Sequence, residues 1–416
     1  MSNDLLKKSL SNSIYAGVAQ EALNTFACGP VLVAYALMFG ASPIAIGFLG
    51  SLEFFGWFSH FVSSYLLNKG KSVKSICVRY AAVSRIFYLF AALLAFFHST
   101  HWALWILLFC FSANYLIGGV SGGAFYPWMK SLVPKKLLAS FFAKRYRFMM
   151  IANLVCYAFA GAIIYLFENY FPDKVIYGYS VLLMLAFLLG IFSVYTLTQI
   201  QAVQLKHLNS RTFLKKCIDS FKNKIFILLC FFLFLLNFAV SFVTPFFTVF
   251  MLKSIGIAMP LVVFLTILSQ VSYIFSTSLW TKLVCRIGYF EILSLASILY
   301  TISILFFIGT NVQIILSLLF AHIILGIARF GVKLATNNIP LLYVPHQDAS
   351  IYLSVVNFFR ALGASVSGIL AGLTLTGLEK SSISLTECWN IFWFVGIFFF
   401  ILSVYFCRKI KGYVLC

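Results

Sequence analysis

Five residues, His322, Gly326, Arg329, Lys333 and Asn337, recur at i, i+4, i+7, i+11 and i+15. On an α-helix that spacing forms one face. The run around them is apolar, and a charge in a hydrocarbon core costs at least about 2.5–3.5 kcal/mol. Such a stripe must meet protein or water. Two cations and an imidazole along one wall would attract a carboxylate or phosphate. The alternative is that Arg329 and Lys333 lie toward a membrane surface and snorkel to it. On the first reading His322, Arg329, Lys333 and Asn337 are substrate-binding candidates.

A second set of polar residues lies in other apolar runs. Glu21, Asn24, Thr25 and Cys28 share one face, with Gln20 beside them. Glu21 falls about 12 Å from the nearer helix end at 1.5 Å per residue. A low-dielectric cavity favours the neutral carboxyl, so Glu21 could bind and release a proton. It could equally be a fixed partner of Arg329 or Lys333. Glu53 and Arg85 fall at similar depth, about 15 and 14 Å along neighbouring antiparallel helices. A structural Glu53–Arg85 pair is expected, because either charge alone is costly; the sharper reading makes Glu53 a second proton site. Arg360 is ambiguous: if the eleventh span begins near Asn357, as the repeat suggests, it can snorkel to the cytoplasmic surface. Asn114 with Gly118, Ser121 and Gly122, and Asn237 with Ser241, Thr244 and Thr248, make milder stripes. Asn24, Asn114 and Asn237 are therefore further substrate-binding candidates. Close helix packing explains small residues equally well.

The elements that position these residues are membrane helices. The chain of 416 residues is 62% hydrophobic and 10% charged, with a mean hydropathy of +1.01. Soluble domains have about 25% charged residues. Apolar runs against charged interruptions give twelve spans, at roughly 13–39, 43–67, 76–97, 102–127, 148–167, 176–199, 225–250, 259–281, 290–309, 313–336, 353–376 and 388–407. The runs are long and unbroken, unlike the alternating strands of a β-barrel. Trp102, Trp105 and Trp389 fit interfacial belts.

The net charge of +20 is a matter of topology rather than of nucleic acid. Twenty-three lysines and arginines fall in one set of alternate segments, against Lys174, Lys253 and Lys380 in the other. Positive residues collect in cytoplasmic loops, so both termini and the central loop are expected in the cytoplasm. No cleavable signal is read at the N-terminus. The ten cysteines lie mostly in apolar runs, without CxxC or a Cys/His cluster, so no metal, disulfide framework or cofactor is expected.

The segment 118–148, with Lys130, Lys135, Lys136, Lys144, Arg145 and Arg147 and no acidic residue, is echoed by 336–359. Val133-Pro134 matches Val344-Pro345. Leu23-Asn24 matches Leu236-Asn237, and Met38 matches Met251. This predicts an all-α membrane protein of twelve transmembrane helices in two pseudo-symmetric six-helix bundles around a central cavity. Residues 1–199 form the first bundle, 200–224 a basic linker, and 225–416 the second.

That architecture resembles the major facilitator superfamily. Its loops after spans two and eight carry a G-x-L-x-D-R-x-G-R-like motif. The segment 281–288, TKLVCRIG, is similar to the second copy, with Arg286 and Gly288 in place and Cys285 where Asp is usual. The segment 66–71, LLNKGK, is similar to the first, with Asn68 at the Asp position and Gly70 following. The resemblance implies alternating access, a cavity lined by spans one, four, seven and ten, and a cytoplasmic gate at Asn68, Gly70, Arg286 and Gly288.

Catalytic motifs are missing: there is no HExxH, GxSxG or P-loop, and His346 and Asp348 have no coupled nucleophile in sequence. No catalytic residue is assigned. The function expected is secondary transport of a small organic anion or zwitterion across the plasma (bacterial inner) membrane, proton-coupled, by a monomer in the lipid bilayer. The alternative is a proton-coupled efflux pump for drugs or a siderophore-like metabolite. The fifth span lacks the Gly-Pro motif that drug exporters of that family commonly bear.

Overall fold

The computed structural model describes residues 3–98, 100, 102–134, 137–203, 215, 219, 221–308, 314–343, 349–381 and 383–415. Lys135, Lys136, Val344, Pro345, His346, Asp348 and residues 204–214 of the linker lie outside the described residues. Among those described, the secondary structure is helical throughout. The first helices are α1 (Asn3–Ala27), α2 (Gly29–Met38), α3 (Pro43–Asn68), α4 (Val73–Leu93), α5 (Ala103–Leu132), α6 (Leu138–Tyr170) and α7 (Val175–Thr198). They are followed by α8 (Lys224–Val249), α9 (Met259–Ile287), α10 (Tyr289–Leu305), α11 (Ile314–Tyr343), α12 (Ala349–Glu379) and α13 (Leu385–Leu415). Eleven helical stretches among the described residues are long and apolar enough to cross a membrane, which makes the chain an integral membrane protein. The remaining expected span corresponds to α10, an apolar helix of 17 residues.

Local chemistry explains where helices stop. The first expected span, read as one helix over 13–39, is broken. Cys28 is extended, Gly29 has φ +58°, and Pro30 offers no N–H to continue the ladder. Asn223 caps α8, its Oδ1 accepting from the backbone N–H groups of Ile225 and Phe226 at 3.0 and 3.3 Å. The fifth span was expected from 148, but α6 begins ten residues earlier, at Leu138. Arg145 is therefore part of a helix, not of a loop.

Both copies of the gate-like motif carry a glycine of positive φ. Gly70 has φ +81° after α3, and Gly288 has φ +84° after α9. A Cβ there is disfavoured, so Gly70→Ala or Gly288→Ala should each cost about 1–2 kcal/mol. A lowered melting temperature in each single variant is the check. Arg286 is exposed beside Gly288, whereas the side chain of Asn68 lies outside the described residues.

The chain divides into two compact units, one of residues 1–41 and 52–210, the other of 42–51 and 211–416. In the first unit, Trp128 of α5 is fully buried in a core shared with α1, α4 and α7, and donates its indole N–H to the Gln201 carbonyl at 2.9 Å. Ser121 Oγ donates to the Cys77 carbonyl at 2.8 Å, tying α5 to α4. Gly119 on α5 packs against Gly56 on α3 so closely that a Cβ would overlap the Gly56 carbonyl.

In the second unit, Gly326 on α11 packs on the Ser269 backbone of α9 in the same manner. Its core is aromatic. Trp389 and Trp393 are buried with ring centroids 5.6 Å apart. Phe247 and Phe307 lie 5.2 and 5.5 Å from Trp393. Trp389, expected in an interfacial belt, is buried and enclosed by aromatic neighbours. Trp102 and Trp105 are exposed. The first turns of α3 belong with this unit: Ser51 Oγ donates to the Ser365 carbonyl on α12 at 2.9 Å.

Candidate functional site

In the first unit the polar residues of α1, α4 and α5 hydrogen-bond between helices. Arg85 is 8% exposed, and its Nη2 donates to Gln20 Oε1. Gln20 Nε2 in turn donates to Asn24 Oδ1 at 3.1 Å. The stem of Arg85 lies over Gly190 of α7, where a Cβ would come within 2.7 Å of Arg85 Cδ. Glycine at 190 is what makes room for the arginine. The hydrogen bond that the structure gives Arg85 is to Gln20, where the sequence paired it with Glu53. Glu53 is exposed on α3 and acts electrostatically on Cys28 and Tyr115.

One turn along, Asn114 is buried, and its Nδ2 donates to the Tyr88 hydroxyl at 3.0 Å. Its Oδ1 and the Nε of Arg85 are buried with no hydrogen-bond partner among the described residues. Tyr115 donates to Cys28 Sγ at 3.1 Å, at the point where the first span breaks. Irregular backbone at membrane depth is tolerated where protein or a water-filled cavity surrounds it, and transporter sites use such discontinuous helices.

Glu21 faces α6. Asn153 Nδ2 donates to Glu21 Oε1 at 3.2 Å and to Thr25 Oγ1 at 2.9 Å. Arg145, nearer the start of α6, donates from Nε to the Ser13 carbonyl at 3.1 Å and lies 4.7 Å over the Phe125 ring. Its guanidinium fills the space over Gly17 and interacts electrostatically with Glu21.

The second unit carries the stripe on α11. Its members share a face, but their surroundings change along the helix. His322 is buried, its Nδ1 within 2.9 Å of the Leu318 carbonyl and its ring 6.0 Å from Phe307. Arg329, Lys333 and Asn337 are exposed. Lys333 Nζ lies 5.8 Å over the Tyr273 ring. Arg360, which the sequence left ambiguous, donates from Nη1 to Asn337 Oδ1 at 3.3 Å. Asn237 donates to the Leu233 carbonyl of its own helix at 2.7 Å, and Thr244 meets the Tyr300 hydroxyl at 3.2 Å. The arrangement can do binding chemistry: cations and amides on exposed helix faces, backed by buried hydrogen bonds.

Sequence reasoning did not find Tyr88, Asn153 or the inward role of Arg145. A lone asparagine in the apolar run around 153 was a signal, since its cost in hydrocarbon demands a partner. Tyr88 gave none, because a tyrosine among aromatic residues reads as core.

No family model matches the chain, and no curated protein matches its sequence. Its structure is similar to solved ones. A mutant of the nucleoside transporter NupG superposes with a TM-score of 0.76 at 14% identity, over 96% of this chain and 99% of that one. A bacterial homologue of the iron transporter ferroportin, in an inward-facing state, gives 0.69 at 12% identity, over 99% of each chain. A POT family transporter in complex with 5-aminolevulinic acid gives 0.71 at 10% identity, over 96% of each chain.

Proposed function

We infer, from the major-facilitator-type transporter fold that this chain has, that it is a secondary active transporter. The substrate class it suits is a small organic anion or zwitterion, moved by alternating access and coupled to protons. The observation that carries this reading is the exposed trio Arg329, Lys333 and Asn337 on a helix long and apolar enough to span a membrane. Cations held there need an aqueous or protein surround, and they complement a carboxylate or phosphate. 5-Aminolevulinic acid, bound in one structural neighbour, is itself a small zwitterion.

The finer parts of the reading are these. The chain crosses the plasma (bacterial inner) membrane twelve times, α10 being one of the spans. Its two units act as pseudo-symmetric six-helix bundles, and both termini are cytoplasmic. The close approaches at Gly119 and Gly326, in corresponding helices of the two units, support the repeat. Glu21 is the proton site, with Asn153 orienting its carboxylate. Glu53, exposed on α3, is a second titratable group of the pathway. His322 supports the stripe from within the aromatic core rather than touching solute. Asn24, Asn114 and Asn237 line the path through their amides. Asn68, Gly70, Arg286 and Gly288 shape the cytoplasmic gate, and the protein works as a monomer.

Reconstituted protein should accumulate an anionic or zwitterionic solute from a metabolite panel, and a protonophore should abolish accumulation. Thermal stabilisation by the same solute should be stronger at low pH. The double variant Glu21→Gln with Arg329→Ala should lose accumulation; unchanged accumulation would overturn the site assignment. Equal stabilisation by uncharged drugs would overturn the substrate class.

A further inference from the structure

A cavity of about 380 Å³ opens in the second unit where α9 ends, α10 begins and α13 passes. Its apolar lining is Ile287, Phe290, Leu295 and Ile298, and its polar lining is Glu291, at the start of α10, with Ser294 and Arg408. None of these belongs to the stripe on α11. Glu291, Ser294, Leu295 and Ile298 stand at i, i+3, i+4 and i+7 on α10, and Ile287 adjoins them from the end of α9. From Glu291 to Ile298 the wall therefore runs roughly 10 Å along α10 from its charged start, at 1.5 Å per residue.

The occupant of such a hollow must be amphiphilic. Leu295 and Ile298 are large, exposed and apolar on a membrane helix, so a water-soluble ligand would leave them uncovered. Glu291 and Arg408 would be poorly matched by a hydrocarbon chain alone. The length of α10 adds an independent reason. Its 17 residues make a helix about 25 Å long, short of a hydrocarbon core of about 30 Å. A short span draws the headgroup layer inward, toward the start of α10, where Glu291 stands.

We propose that this groove binds an aminophospholipid: its phosphate on Arg408, its primary ammonium toward Glu291, and one acyl chain along Leu295 and Ile298. Guanidinium matches phosphate in a fork geometry. Glu291 selects against purely anionic headgroups by repulsion, and a quaternary choline offers it no N–H donor. The proposal needs the chain to lie in a membrane and does not depend on what it transports.

The test is native mass spectrometry of the purified full-length protein with dioleoyl phosphatidylethanolamine, phosphatidylcholine and phosphatidylglycerol, together with melting temperature in each lipid. Wild type should retain phosphatidylethanolamine best. Arg408→Ala should lower that retention at least about ten-fold, the scale of one charge-assisted pair. Glu291→Gln should bring phosphatidylglycerol level with phosphatidylethanolamine. Leu295→Trp, which fills the groove without touching either charge, should displace all three lipids and serves if a charge variant does not fold. Equal retention of the three lipids by wild type would overturn the proposal. So would phosphatidylethanolamine retention that survives both Arg408→Ala and Leu295→Trp, or equal binding of free phosphoethanolamine without its acyl chains.

Discussion

Arg85→Met should cut solute accumulation at least about ten-fold while the melting temperature holds or rises, since one charged hydrogen bond is worth about 1.5–3 kcal/mol. The two effects have opposite signs for one physical reason. A guanidinium buried at bilayer depth costs at least about 2.5–3.5 kcal/mol. The hydrogen bond to Gln20 offsets only part of that, so an apolar chain of similar length relieves the protein of a charge it has partly to desolvate. What is lost is the donor that orients Gln20 and, through it, Asn24. Gly190→Ala separates the two effects. Its new methyl would press on Arg85 Cδ and Cγ without removing the charge. That variant should lose both stability and transport. Measured in proteoliposomes and by thermal unfolding, a parallel fall of both quantities in Arg85→Met would mark Arg85 as structural only.

The helical framework was legible because apolar run length is set by bilayer thickness and survives any packing detail. The spans expected at 43–67 and 176–199 match α3 and α7 to within a residue at each end. The start of α6 was not legible: its first turns carry Lys144, Arg145 and Arg147, which hydropathy assigns to a loop. Only the packing of Arg145 over Gly17 shows why a charged turn stays helical there. The stripe on α11 was legible as a face, since periodicity fixes direction around a helix. Periodicity does not fix depth of burial, which is how His322 came to lie buried beside the Phe307 ring while Arg329 is exposed. The burial of Trp389 was not legible for a related reason: whether protein covers a tryptophan near a helix end depends on neighbours far away in the chain, here Phe250.

Gly119→Ala should prevent recovery of folded protein, whereas Gly118→Ala, its immediate neighbour, should be neutral or stabilising. In a helix interior, glycine to alanine is worth up to about 1 kcal/mol of propensity at both positions. The environments decide the outcome. A Cβ on Gly118 meets Ser84 Oγ at 3.4 Å, an ordinary contact. A Cβ on Gly119 would overlap the Gly56 carbonyl, and that atom is backbone of a packed helix, unable to rotate away. Relief requires α3 and α5 to separate, which undoes neighbouring contacts such as that of Gly123 with His60 and Ser63. Overpacking typically costs about 1–3 kcal/mol, and more where backbone must move. Without a hydrophobic driving force between helices in lipid, close backbone approach is itself a main source of association. The yield of monodisperse protein and the melting temperature of both variants check this. Equal behaviour of the two would mean that the glycines serve flexibility or solute access, and that the seam between α3 and α5 is looser than its geometry implies.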